Sequence, residues 1–106
     1  ADEQRYPDVI GAEATRSDDG TWTISATLSS PYDTPERYAD AWRVLGSDRT
    51  EYGVRILLDD HANEQPFTRS QSGIAIPDSV DIVTVEGRDL VHGWGGATFD
   101  LPLPGR

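Results

Sequence analysis

Two histidines stand among carboxylates in this chain of 106 residues. His61 lies in "LLDDHANEQPFTRS" (57–70) with Asp59, Asp60 and Glu64; His92 lies in "RDLVHGWGG" (88–96) with Asp89. Imidazole nitrogen and carboxylate oxygen together form a donor set for Zn(II), Cu(II) or Ni(II). The metal reading therefore joins His61, His92 and Asp59, with Asp60, Glu64 or Asp89 as alternative oxygen donors, around a divalent ion such as Zn or Cu. No HExxH or HxH spacing supports it. The plainer reading makes His61 a polar loop residue and His92 a hydrogen-bonded cap of a hairpin. Asp33, Glu36 and Asp40 supply oxygen donors of the kind calcium takes, without an EF-hand pattern. Serines and histidines permit a small hydrolase on paper, but no G-x-S-x-G elbow is present. Asp59 and Asp60 point to opposite sides of an extended chain, so adjacency does not make them an acid/base pair. No catalytic residue is assigned, and the chain reads as a non-enzyme.

Other features point to binding rather than reaction. "GWGG" (93–96) is not a phosphate-binding G-x-G-x-x-G; its glycines fit positive φ in a tight loop. Trp94 beside Tyr32 can stack on a sugar or anchor a protein, or Trp94 can fold over the end of the domain as a plug. Tyr32, Asp33, Glu64 and Trp94 are the candidate binding residues. "EQPFTRS" (64–70) reads as structural: Phe67 enters the core, Glu64 and Gln65 hydrogen-bond the neighbouring loop, and Arg69 pairs with an acid.

Composition limits the partners. The net charge is -10, from 19 acids and 9 bases, all of them Arg. Such a surface repels phosphate backbones, which argues against nucleic acid. With 36% hydrophobic residues the chain is expected to fold, as one domain over 1–106 with a core from about 8 to 103. No apolar run approaches the roughly 18 residues of a transmembrane helix. Cys is absent, which removes disulfides and thiolate chemistry. The start, "ADEQRYPD", matches what signal-peptide cleavage leaves, so an exported protein, periplasmic or secreted, is expected. An unidentified protein or small ligand is the expected partner, with the chain itself a monomer or weak homodimer.

Short alternating segments must position these residues. "VIGAEATR", "TWTISATLS", "AWRVL", "YGVRILL", "FTRSQSGIAI", "VDIVTVEG" and "ATFDLPLP" read as strands separated by turn residues. The segment at 38–45 also carries a helical stripe (Tyr38, Ala41, Trp42, Leu45), with one helical turn expected at 35–38. Gly73 marks a bulge, and Pro102 and Pro104 confine the last strand to an edge. The expected fold is all-β, a seven-stranded antiparallel sandwich. Seven strands with Trp42 and Val44 as a "W-x-V" on the third resemble immunoglobulin and fibronectin type III domains. There is no B–F disulfide and no tyrosine corner. "RYADAW", "NEQPFTRS" and "HGWGG" also resemble segments of a group of small exported bacterial proteins of uncharacterised function. Relatives of that group carry a further His at the position of Asp59.

Antiparallel order has a consequence for function. Connections alternate between the two ends of a sandwich. "SSPYDTPERY", "DDHANEQP" and "RDLVHGWGG" therefore share one end, and "SDDG", "GSDRT" and "PDS" the other. His61 and His92 are expected at the same end, which is the end expected to bind.

Overall fold

The computed structural model describes residues 4–105. Seven strands follow in order: β1 (Asp8–Arg16), β2 (Trp22–Ser29), β3 (Ala39–Leu45), β4 (Glu51–Ile56), β5 (Phe67–Ile74), β6 (Ile82–Asp89) and β7 (Gly93–Pro102). They form two antiparallel sheets, β1-β2-β5 and β4-β3-β6-β7. The all-β sandwich expected from alternation is what the chain adopts. β4 pairs with β3 rather than with β5, giving three strands against four. A constant-type immunoglobulin domain places its fourth strand on the opposite sheet.

β2 shows why alternation was readable. Trp22, Ile24, Ala26 and Leu28 are all buried, and the residues between them face outward. Their outer neighbours form a hydroxyl ladder, with Ser25 Oγ to Ser70 Oγ at 2.6 Å and Thr27 Oγ1 to Thr68 Oγ1 at 2.7 Å. β3 broke the pattern for a physical reason. Register shifts lie between Ala39 and Ala41 and between Val44 and Leu45, so Ala41–Trp42 and Val44–Leu45 are buried as adjacent pairs. Those doublets mimic a helical stripe. The helical turn expected at 35–38 is instead a tight turn closed by an isolated bridge between Thr34 and Arg37.

Trp42 and Val44 fill the core with Trp22, Phe67, Val83, Val85 and Leu101. Gly73 has φ +71° at an irregularity of the β2–β5 register, the expected bulge. β7 is an edge strand, which accommodates Pro102.

"GWGG" is corrected: all four residues begin β7. Gly93 and Gly96 do have positive φ, at 87° and 85°. The tighter constraint is the N-terminal segment, which crosses here. A Cβ on Gly95 would lie 2.6 Å from the Tyr6 ring, and one on Gly96 would collide with the Pro7 carbonyl. Asp8 then accepts a hydrogen bond from the Ala97 N–H at 2.9 Å. Gly96→Ala combines left-handed backbone strain with a backbone collision, so urea melts should show a loss of about 2–4 kcal/mol. Gly105→Ala also has positive φ but meets nothing nearby, and should cost less.

Candidate functional site at the loop end

Strand alternation brings the 30–38, 57–66 and 90–92 connections to one end, as expected. Contacts between them are direct. The His61 N–H donates to Asp33 Oδ2 at 2.9 Å, the Tyr38 hydroxyl to the Leu58 carbonyl at 3.3 Å, and the Leu90 N–H to the Tyr38 carbonyl at 2.9 Å. The third connection is shorter than expected, because β6 runs to Asp89 and β7 starts at Gly93.

Asp89 organises one flank of this end. Its side chain is fully buried and accepts from the N–H groups of Val91 and His92, both at 2.9 Å. Arg37 Nε approaches both of its oxygens at 3.3 Å. The same guanidinium donates to the carbonyls of Gln4 and Arg5, at 3.0 and 2.7 Å, and lies 4.1 Å over the Tyr32 ring. Burial alone would raise the Asp89 pKa. The His92 N–H, the Tyr32 hydroxyl, the Val91 N–H and the Arg37 charge outweigh it and hold it below the usual carboxylate range. Burial, and then the neighbouring Asp89, push the Tyr32 hydroxyl upward, so it stays protonated.

Asp33 is a second node. It is buried, with Oδ1 accepting from the Ala39 N–H at 3.2 Å and Oδ2 from His61. Gln65 spans the same gap: Oε1 accepts from the Ser30 N–H at 2.7 Å, and Nε2 donates to Ser30 Oγ and the His61 carbonyl. The Gln65–Pro66 peptide is cis. "EQPFTRS" is structural at Gln65 and Phe67, as expected, whereas Glu64 turns outward and pairs with Arg69 at 2.9 Å.

The metal arrangement is not formed. His61 stacks flat on Phe67, with centroids 3.9 Å apart, on the β4–β5 flank. His92 meets Tyr6 edge-on at 6.1 Å, where the N-terminal segment crosses β7. Asp59 is exposed, and among the described residues no three His, Cys, Asp or Glu side chains gather closely enough to hold an ion. The two sheets explain the separation: β4 faces β5 along one side, and β1 faces β7 along the other. The calcium set also disperses. Asp33 binds backbone, and Asp40 takes Arg88 Nε and Nη2 at 2.8 and 3.2 Å.

Tyr32 and Trp94 do not make one platform. Tyr32 lies under the Arg37 guanidinium that pairs with Asp89 on the core side of β6, while Trp94 lies with Arg88 on the outer face. Arg43 sits 4.0 Å over the Trp94 ring and Arg88 5.1 Å, so the half-buried indole is neither an end plug nor a free anchor. Apolar exposure here belongs instead to Leu58 (80%), Val91 (63%), Ile56 (51%) and Leu90 (45%).

The chemistry left open lies in a cavity of about 390 Å³ lined by Arg55, Ile56, Leu57, Leu58, Asp59, His61 and Arg69. That volume falls within the roughly 300–1,000 Å³ of small-molecule sites. Arg55 pairs across the sheet with inward-facing Trp42, which turns it toward the gap between sheets. Its Nε is buried without a hydrogen-bond partner, and so is His61 Nδ1. Arg55, like Arg5, has no ion pair among the described residues, whereas Arg16, Arg37, Arg43, Arg49, Arg69 and Arg88 each have one. Three other cavities, of about 400, 530 and 530 Å³, lie at the opposite end and on the β1-β2-β5 face, and none of them is lined by a buried unpartnered side chain. Arg69 pairs with an acid, as expected from "EQPFTRS", the partner being Glu64. Arg55 was not singled out in the sequence, although a signal existed: in "YGVRILL" the parity that buries Leu57 also turns Arg55 inward.

No model of a known protein family matches the chain, and no solved structure matches it. A protein of Halomicrobium mukohataei bearing the name "Putative lipoprotein" is 43% identical over 75 residues, which cover 69% of this chain and 35% of that protein. The chain thus spans about a third of the length of the curated relative it matches.

The Asp89 cluster yields a pH test. A carboxylate whose folded pKa is depressed contributes stability that is present above its unfolded value and lost as pH falls through the folded one. Asp89→Asn should therefore cost about 3 kcal/mol in urea melts at neutral pH. The gap from the parent should narrow below the ordinary carboxylate range, where Asp89 itself becomes protonated.

Proposed function

We propose that this chain is a non-catalytic ligand-binding module, a sandwich of fibronectin type III-like strand order whose ligand enters the Arg55–His61 cavity. One observation supports the reading above the others: a cationic side chain and an imidazole line one cavity, each with a buried polar atom that lacks a partner. An unmade buried hydrogen bond costs about 1–3 kcal/mol. The loops around the cavity are tied down by Asp33 and Gln65, so the walls are held in place before a ligand arrives.

The test is a small-molecule screen read by amide and side-chain NMR shifts, with neutral, cationic and anionic compounds of similar size. Hits should move the signals of Arg55, Ile56, Leu58, His61 and Arg69 together. Hits confined to the Ser47–Tyr52 end, or none at all, would overturn the reading.

The similarity to the protein named a lipoprotein supports a setting for the module. We infer that it belongs to a longer exported polypeptide held at a membrane surface by a lipid anchor outside this sequence. Detergent-phase partitioning of the full-length gene product from its own cells should recover it with the membrane lipids. Recovery in the aqueous phase would count against the anchor.

A further inference from the structure

The geometry points to a monocarboxylate with an apolar body as the ligand of the Arg55–His61 cavity, an assignment that rests on the binding reading above. Three features of the wall carry it. A guanidinium presents adjacent N–H donors in a planar fork that matches a carboxylate, and Arg55 lines the cavity with no ion pair among the described residues. Ile56, Leu57 and Leu58 line the cavity beside it, Leu57 on the Arg55 side of the chain and Ile56 and Leu58 on the exposed side.

The third feature is charge. Arg69 is already answered by Glu64 at 2.9 Å, and Asp59 adds a negative charge at the cavity. Arg55 has no ion pair among the described residues, and one carboxylate charge answers one guanidinium. A phosphate dianion would bring a second charge and meet Asp59 and Glu64 besides. The His61 ring, stacked flat on Phe67, lines the same cavity.

The experiment titrates the intact chain with hexanoate, hexanamide, hexylamine and inorganic phosphate, following Arg55 Nε–H and the amides of residues 55–61 and 69 by NMR. Hexanoate should bind at these positions, with hexanamide about tenfold weaker or worse and with hexylamine and phosphate silent. Arg55→Gln should reduce hexanoate affinity to that of hexanamide, and Arg55→Lys should give an intermediate loss, because charge remains but the fork does not. The comparison among ligands needs no variant, so a folding defect in either substitution leaves the test intact. Equal binding of hexanoate and hexanamide, or tighter binding of phosphate, would overturn the carboxylate assignment while leaving a binding site. Silence from every compound would overturn both. An acetylated dipeptide ending in leucine, with a free or amidated terminus, separates the sources of the carboxylate. Tighter binding than hexanoate by the free form alone assigns it to a peptide chain end, and weaker binding assigns it to a free acid.

Discussion

The loop end depends on one buried carboxylate. Asp89 closes β6, and the chain must reverse within three residues to begin β7. Its Oδ2 takes both N–H groups that this reversal would otherwise strand, and Arg37 supplies the opposite charge. Through Arg37 the same centre holds the carbonyls of Gln4 and Arg5, which lead the chain to its crossing over Gly95 and Gly96. The N-terminal segment, the β2–β3 loop and the β6–β7 turn are thereby fixed against one another. A buried charge is tolerated only where its bonds are made, and here the bonds are what assemble the end.

The opposite flank is built on different terms. Asp33 and Gln65 tie the 30–38 and 57–66 loops together, mostly through backbone groups. That fixes the backbone of His61 but leaves its ring nitrogen and the Arg55 side chain without partners. The arginines around them are committed: Arg37 to Asp89, Arg43 to Glu86, Arg69 to Glu64 and Arg88 to Asp40. In a chain so rich in acids, an uncommitted arginine lining a cavity is the feature that a purely structural account leaves over.

Legibility followed local regularity. β2 could be read from its strict alternation, and the sandwich from seven such segments. β3 could not be read cleanly, because its two register shifts bury neighbouring residues in pairs. "GWGG" was misread as a loop because Gly95 and Gly96 answer to Tyr6 and Pro7, nearly ninety positions earlier, and not to a turn. Asp33 and Glu64 looked alike as loop acids, yet one is buried on two backbone N–H groups and the other faces solvent with Arg69.

What the sequence by itself determined is the set of strands, their antiparallel order and therefore which loops share an end. Alternation and parity are properties of consecutive residues and need no knowledge of distant contacts. Only the tertiary structure decided which side chains at that end face one another. Sheet pairing put β4 against β5 and β1 against β7, which drew His61 and His92 to opposite flanks and set Arg55 beside His61. Partner choice among carboxylates and guanidiniums depends on burial and competition across the whole fold, and no spacing along the chain encodes it.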